Sequence, residues 1–375
     1  MKRIIRSKSV ITGKKNLEHL VTYKKYPVLI GCTDKPRKVD LLADMSFSIC
    51  KDSGIIQLDQ LIPLDILYSE YHSEAIGGLW KEHHEAFIEF FSKFAPKNVL
   101  EIGGSNCFMA ERYVEGNADA TWTNVEPNPV PSKNSRIKII KKIFDGSFKM
   151  NGPVDAVIHS HVLEHMYDPD AFLGHVSSFL ADGALQVFSI PDLDEYLKRG
   201  YSNCINFEHS IFLTEYFVDY FLAKNGFKIV KKKKFKGHSI FYATRKSAKA
   251  LPIPLVSKYR EYKKRFLVYI KNNLKTVTAL NRKLEKKKGN AYLFGAHIFS
   301  QSLLNIGLDV KNIRYVLDNS KIKQGKRLYG TNLLVQSPEI LAEEKDPLVL
   351  LRVGAYKEEI SQQIKKINRT TVFIE

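Results

Sequence analysis

The sequence of 375 residues predicts an α/β protein. An open, mostly parallel sheet forms its centre, with a small module before it and a second α/β module after it. Three observations carry this reading. The apolar run Val99, Leu100, Ile102 stops at Gly103-Gly104, as a buried strand entering a tight turn does. Short apolar runs then alternate with helix-like stretches from there to residue 190. The same strand-then-glycine pattern returns at Tyr292-Leu293-Phe294-Gly295. An apolar content of 44% and 11% aromatics belong to a folded, globular chain.

The central elements follow in order. A second short run, 120–125, ends in Glu126-Pro127. An acidic residue about 20 positions past a glycine turn sits where it can accept hydrogen bonds from ribose hydroxyls. A third run, 137–143, leads to Phe144-Asp145-Gly146. A fourth, 154–158, runs into His159-Ser160-His161-Val162-Leu163-Glu164-His165. A fifth, 184–190, ends at Pro191. In such sheets ligands sit at the carboxyl ends of the strands.

The glycine turn narrows the choice of ligand. A dinucleotide site needs three glycines so that backbone can approach a pyrophosphate. Here the order is Gly103, Gly104, Ser105, Asn106, Cys107, and that pattern is missing. Glu101, two places before the first glycine, suits a cofactor with a cationic end. S-adenosyl-L-methionine (SAM) has an amine, a sulfonium and a ribose, and no phosphate. The Glu101–Gly103–Gly104 turn with Glu126 resembles the first two motifs of class I SAM-dependent methyltransferases. The resemblance implies a Rossmann-like SAM domain. It also implies that Tyr71, Glu101, Gly103, Gly104, Asn106, Glu126, Pro127, Asp145 and Gly146 bind the cofactor, with Asp145 approaching the adenine. Cys107 stands where a glycine is usual, so its side chain is expected to narrow the turn.

The string 161–165 with Asp168-Pro169 resembles the sugar C-methyltransferase family, whose members have three parts. A zinc-type module comes first, then the SAM domain, then a Rossmann-like module. Traced here, residues 1–70 are the small module, 71–247 the SAM domain, 248–289 a basic helical linker and 290–375 the carboxy-terminal module. The family's zinc site is two Cys-x-x-Cys pairs. Those positions hold Ser9 and Thr12, then Cys50 and Ser53. Hydroxyls are poor zinc ligands, so the fold is expected without the metal. Cys32 matches no ligand position and reads as a small buried residue.

In the same family a Tyr-His-Glu-His stretch carries catalysis. Here it reads Asn206-Phe207-Glu208-His209. Histidine accepts protons near neutral pH, so His209 is the expected base and Glu208 its orienting partner. The lost tyrosine leaves transfer to oxygen open beside transfer to carbon. His161, directly after the fourth strand, is expected to face the methyl group, with His165 a polar residue at a helix start. Tyr71, Trp80 and His83 resemble the segment that closes over SAM, with Trp80 read as core.

The substrate this implies is a sugar or nucleotide-linked sugar in surface-glycan synthesis. Two alternatives remain: a silent scaffold with a methyltransferase fold, and, with less support, an RNA methyltransferase. No metal ligand set is expected in the chain.

Charge is uneven. The chain holds 58 Lys and Arg against 40 Asp and Glu. Residues 231–288 hold 20 of those basic residues against only Glu261 and Glu285, so the excess lies in this segment. After Pro252 and Pro254 a helix is expected over 255–288, ended by Gly289. Its apolar stripe is expected at Tyr259, Tyr262, Phe266, Ile270, Leu274, Val277, Leu280 and Leu284. Its lysines face water, or an anionic membrane leaflet. Nucleic acid is the least supported partner, since no RNA-recognition motif accompanies the charge. Four unpaired cysteines and the charged start of the chain make the expected location cytoplasmic, with contact at the membrane periphery. The carboxy-terminal module, with Asp318-Asn319 and Lys323-Gln324-Gly325, is expected to help hold a nucleotide or only to pack.

Overall fold

The computed structural model describes residues 3–68, 77–286 and 291–375. Tyr71 lies outside the described residues. The chain forms two compact units that do not follow chain order. One comprises 1–80, 196–209 and 258–375, the other 81–195 and 210–257.

The second unit is built on a seven-stranded sheet. Its strands are β1 (Asn98–Ile102), β2 (Thr121–Val125), β3 (Ile137–Ile140), β4 (Ala156–Ser160), β5 (Leu185–Pro191), β6 (Phe227–Phe235) and β7 (Ser239–Lys246). The spatial order is β6-β7-β5-β4-β1-β2-β3. β1 to β5 run parallel, and β7 lies antiparallel between β5 and β6. The strand order reverses between β1 and β4, which places a crevice at their carboxyl ends. This is the Rossmann-like α/β arrangement expected. The central strands are buried on both faces: all of β5 is buried, as are Ala156 to His159 of β4. Asp155 ties the amino ends of β1 and β4 together, its Oδ2 accepting from the Lys97 and Asn98 amides at 3.2 and 2.8 Å.

Helix α1 (Gly78–Ser92) precedes β1. Helix α2 (Phe108–Gly116) follows it, and α3 (Pro169–Phe179) follows β4. Asp168 caps α3 by accepting from the Ala171 amide at 2.9 Å, with Pro169 in the first turn.

Among the described residues the first unit holds two larger sheets and two short strand pairs. Near the amino terminus, Leu17–Pro27, Leu42–Cys50 and Ile56–Leu58 pair antiparallel. In the carboxy-terminal part five parallel strands form a half-Rossmann module, centred on Ala291–Phe294. The two parts join through Cys32–Thr33, which pairs with Arg327–Leu328, and through a bidentate Arg327–Asp40 ion pair at 2.6 and 2.7 Å. Cys32 is half-buried there, its thiol 3.5 Å from the Ala296 carbonyl. All four cysteines are free thiols.

The long basic helix covers Tyr259–Lys286, starting four residues later than expected. Its buried face is Tyr262, Phe266, Tyr269, Asn273, Val277, Leu280 and Leu284. Tyr269 and Asn273 replace Ile270 and Leu274 in the stripe, and Leu274 is 50% exposed. Steps of three and four residues from Phe266 fit either set, so a polar Asn273 hid the true face. Among the described residues no helix is long and apolar enough to cross a membrane.

Candidate active site

β1 delivers the chain into the glycine turn. Gly103 has φ of 77°, in the left-handed region that favours glycine. A Cβ on Gly104 would lie 2.4 Å from Glu101 Oε2 and 2.6 Å from Asn124 Oδ1. Only glycine fits over that acid. Glu101 itself is 1% exposed and supports the turn from beneath. The Trp122 indole N–H donates to its Oε2 at 2.8 Å. Burial pushes Glu101 up to about 7, against the Trp122 hydrogen bond and with help from the Glu126 charge. Its Oε1 is buried and has no hydrogen-bond partner among the described residues.

Glu126 emerges from the end of β2 and is clamped across the same turn. Its Oε2 accepts from the Ser105 amide at 3.3 Å, and its Oε1 from the Asn128 amide at 2.9 Å. Pro127 continues that strand end, half-buried. Asn106 is exposed and accepts from the Phe108 amide at 3.2 Å.

Cys107 does not narrow the turn. It adopts the left-handed conformation a glycine would take, with φ of 59°, and its thiol is fully buried. The Asn124 side chain donates to its sulfur at 3.3 Å. The thiol therefore packs toward the sheet.

Asp145 is exposed beyond β3, which stops at Ile140 and not at residue 143. Its Oδ1 accepts from the Ser147 hydroxyl and amide at 2.6 and 2.8 Å, which holds its carboxyl below the usual range. A Cβ on Gly146 would meet open space.

At the end of β4 stands His161, also left-handed at φ of 54°. Strained non-glycine residues of this kind concentrate at functional sites. Its Nδ1 lies 3.0 Å from Glu164 Oε1, and its Nε2 2.9 Å from the Ser239 hydroxyl. Ser239 opens β7, and its hydroxyl is also 2.6 Å from His238 Nδ1. His83 of α1 packs edge-on against both other histidines. Burial pulls His161 and His238 down to about 3, and drives His83 far below the ordinary imidazole value. All three rings are therefore neutral. Val162, beside His161, would lie 2.7 Å from a Cβ on Gly103, so the histidines and the glycine turn share one edge of the sheet. His165 closes a short 3-10 turn, Leu163–His165, rather than starting an α-helix.

Glu164, His238 and Ser239 escaped the sequence reading as site residues, and of these only Glu164 had a signal, as the fourth residue of the 161–165 string. In the sequence His83 reads only as part of the segment that closes over SAM.

Glu208 and His209 lie in the first unit, both half-buried. Asn206, which stands in place of the family's tyrosine, is 3% exposed and accepts from the His209 amide at 2.8 Å. Phe207 is a core residue, its ring edge-on to Tyr26. Trp80 is half-buried.

The four positions of the zinc-type module do come together. Thr12 Oγ1 is 3.9 Å from the Cys50 sulfur, and the Ser53 amide donates to that sulfur at 3.4 Å. Ser9 Oγ accepts from the Ile11 and Thr12 amides at 3.4 and 3.3 Å. Burial raises the Cys50 thiol, but hydrogen bonds from Ser53 and Ser9 outweigh it and leave it below the ordinary value. One thiol and three hydroxyls do not suit zinc.

Two family models match adjoining stretches. A methyltransferase domain covers residues 76–232, and a C-methyltransferase C-terminal domain covers 231–374. Among solved structures, the chain resembles the N-methyltransferase NodS from Bradyrhizobium japonicum WM9. Identity is 15%, covering 45% of this chain and 97% of that one, with a TM-score of 0.35. An O-methyltransferase family protein from Burkholderia thailandensis is 13% identical, covering 46% of this chain and 57% of that one, with a TM-score of 0.36. No curated protein matches. With the sheet order and the glycine turn, the two family models make this chain a methyltransferase with a Rossmann-like domain. It uses SAM as methyl donor.

The residues present fit that cofactor. Gly104 leaves backbone bare above a buried acid, Glu101 keeps one oxygen without a partner among the described residues, and Glu126 is fixed at a strand end of the kind that receives ribose hydroxyls in such folds. Bound SAM supplies a sulfonium-activated methyl group.

Proposed function

We propose that this methyltransferase acts on a sugar, linked to a nucleotide, in the synthesis of a surface glycan. The observation that carries the reading is the pair of matches in tandem. A methyltransferase domain runs directly into a C-methyltransferase C-terminal domain. The resemblance of the 161–165 and 206–209 strings to sugar C-methyltransferases supports it. His209 takes the proton that the acceptor carbon or oxygen loses, and Glu208 orients the imidazole. His161, held by Glu164, lines the edge of the sheet where the acceptor meets the methyl group.

The test is incubation with SAM and a panel of keto and hydroxy sugar nucleotides, read by mass spectrometry. The reading requires a gain of one methylene unit on a sugar, abolished by His209→Ala. No methylated sugar across the panel, with SAM consumed only when RNA is added, would replace it.

The reading includes a lipid surface. The long helix leaves Leu267, Val268 and Leu274 exposed between Lys264, Lys271 and Lys275. Each lysine near an anionic leaflet is worth about 1 kcal/mol. Sedimentation with phosphatidylserine vesicles but not neutral ones supports this contact, and equal recovery with both removes it.

A further inference from the structure

We propose that His83, His161 and His238 bind a divalent transition-metal ion of the zinc class, with the fourth position open to an acceptor oxygen. The three residues come from separate elements: α1, the end of β4 and the turn before β7. Each offers a ring nitrogen, and these nitrogens all lie within 4.8 Å of one another.

The ring spacing fits a shared ion. A zinc–nitrogen bond of about 2.1 Å puts an imidazole centre about 3.2 Å from the metal, so two tetrahedrally placed rings lie about 5.2 Å apart. The observed centre separations are 5.2 Å for His83–His161, 5.6 Å for His83–His238 and 5.6 Å for His161–His238. Packed rings also lie at this spacing, as His83 and Phe241 do at 5.2 Å, so the distinguishing feature is that the three histidines turn their ring nitrogens toward one another.

The surroundings are those of a ligand set. Metal-bound histidines commonly donate their other N–H to a carboxylate, which fixes the tautomer and strengthens the ligand. Glu164, 1% exposed, sits 3.0 Å from His161 Nδ1 and so directs Nε2 inward. His161 Nε2 and His238 Nδ1 already aim at one point, since the Ser239 hydroxyl lies within 2.9 and 2.6 Å of them. An ion takes that shared position, and the serine hydroxyl turns aside.

Three histidines with one open position define a catalytic type of site. Such an ion polarises an acceptor oxygen and eases loss of its proton. Its place beside the glycine turn puts that chemistry at the edge where the methyl group is delivered. The cluster shares no residue with the four positions Ser9, Thr12, Cys50 and Ser53, among which Cys50 is the sole thiol.

The experiment uses the full chain, stripped with a chelator and titrated with Zn²⁺ by calorimetry and with Co²⁺ by visible absorption. We expect one ion per chain and a tetrahedral-type cobalt spectrum. His83→Gln and His238→Gln each abolish that spectrum, while Cys50→Ser and Ser239→Ala leave it in place. Glu164→Gln weakens binding about 10- to 100-fold, the usual cost of losing such a carboxylate. Circular dichroism and SAM binding on the same samples show whether a variant is folded. If one histidine variant fails to fold, the other and Glu164→Gln decide. No stoichiometric binding by the native chain overturns the proposal, as does binding unchanged in folded His83→Gln or His238→Gln. Methyl transfer to sugar by metal-free protein also overturns the ion's catalytic role, while leaving the proposed sugar substrate intact.

Discussion

Two places in this molecule bear on metal, and they are opposites. In the amino-terminal part the four expected positions come together without metal-ligand chemistry. Ser9, Thr12, Cys50 and Ser53 still converge on one point, and hydroxyls and amides fill it with hydrogen bonds. At the carboxyl edge of the seven-stranded sheet the ligand chemistry is present without a spacing to announce it. His83, His161 and His238 are far apart in sequence and meet only in the fold. The difference teaches that four converging positions need no ion once hydrogen bonds close the same turns. Gly13 and Gly54 hold those turns, their amides donating to the Ser9 and Cys50 carbonyls at 2.9 and 2.8 Å.

Restoring the thiols sharpens the contrast most. Ser9→Cys, Thr12→Cys and Ser53→Cys together should create a four-thiolate site. Structural zinc in small peptides is worth about 10–16 kcal/mol, so one extra, tightly held zinc per chain is expected by mass spectrometry under native conditions. A triple variant that is folded yet takes up no added zinc would show that the four positions do not share a centre. At the other region, Gly104→Ala forces a methyl group into Glu101 and Asn124. Overpacking of this kind costs about 1–3 kcal/mol of stability. Denaturant titration should show that loss, together with loss of SAM binding.

A smaller effect concerns pH. The Glu101 carboxyl titrates at about 7 in the fold and at about 4.3 unfolded. A raised value means the folded state holds the proton more tightly. The stability it contributes is full below about pH 4.3 and is lost as pH rises through 7. Glu101→Gln keeps an acceptor for Trp122 and removes the ionisation, so stability should fall less between pH 5 and 8 than in the native chain. Smallest is Cys50→Ser, which exchanges one polar group for another. It should cost under about 1.5 kcal/mol, the scale of one hydrogen bond. A loss of several kcal/mol would mean that the thiol is more than a relic.

What the sequence disclosed follows the reach of its signals. The glycine turn, the acid at the end of β2 and the strand–helix alternation are local patterns, and each lies where expected. The meeting of Ser9 and Thr12 with Cys50 and Ser53 was readable because each pair sits in a turn closed by a glycine. The long helix was readable in extent, but its face was not. Leu274 looked like core and Asn273 like surface, and packing chose the reverse. Cys107 looked like an obstruction, but a left-handed backbone turned its thiol inward. His161 was readable from its string, but its meeting with His83 and His238 had no local pattern to betray it, since single histidines on unrelated elements look like ordinary core.

SAM titration of the native chain and Glu126→Ala, read by calorimetry, tests the central claim most directly. A carboxylate accepting ribose hydroxyls is worth about 1.5–3 kcal/mol per charged hydrogen bond, so one SAM per native chain and binding about 10- to 100-fold weaker in the variant are expected. Equal affinity for both proteins, or no heat with SAM beside tight binding of NAD(H), would contradict the account.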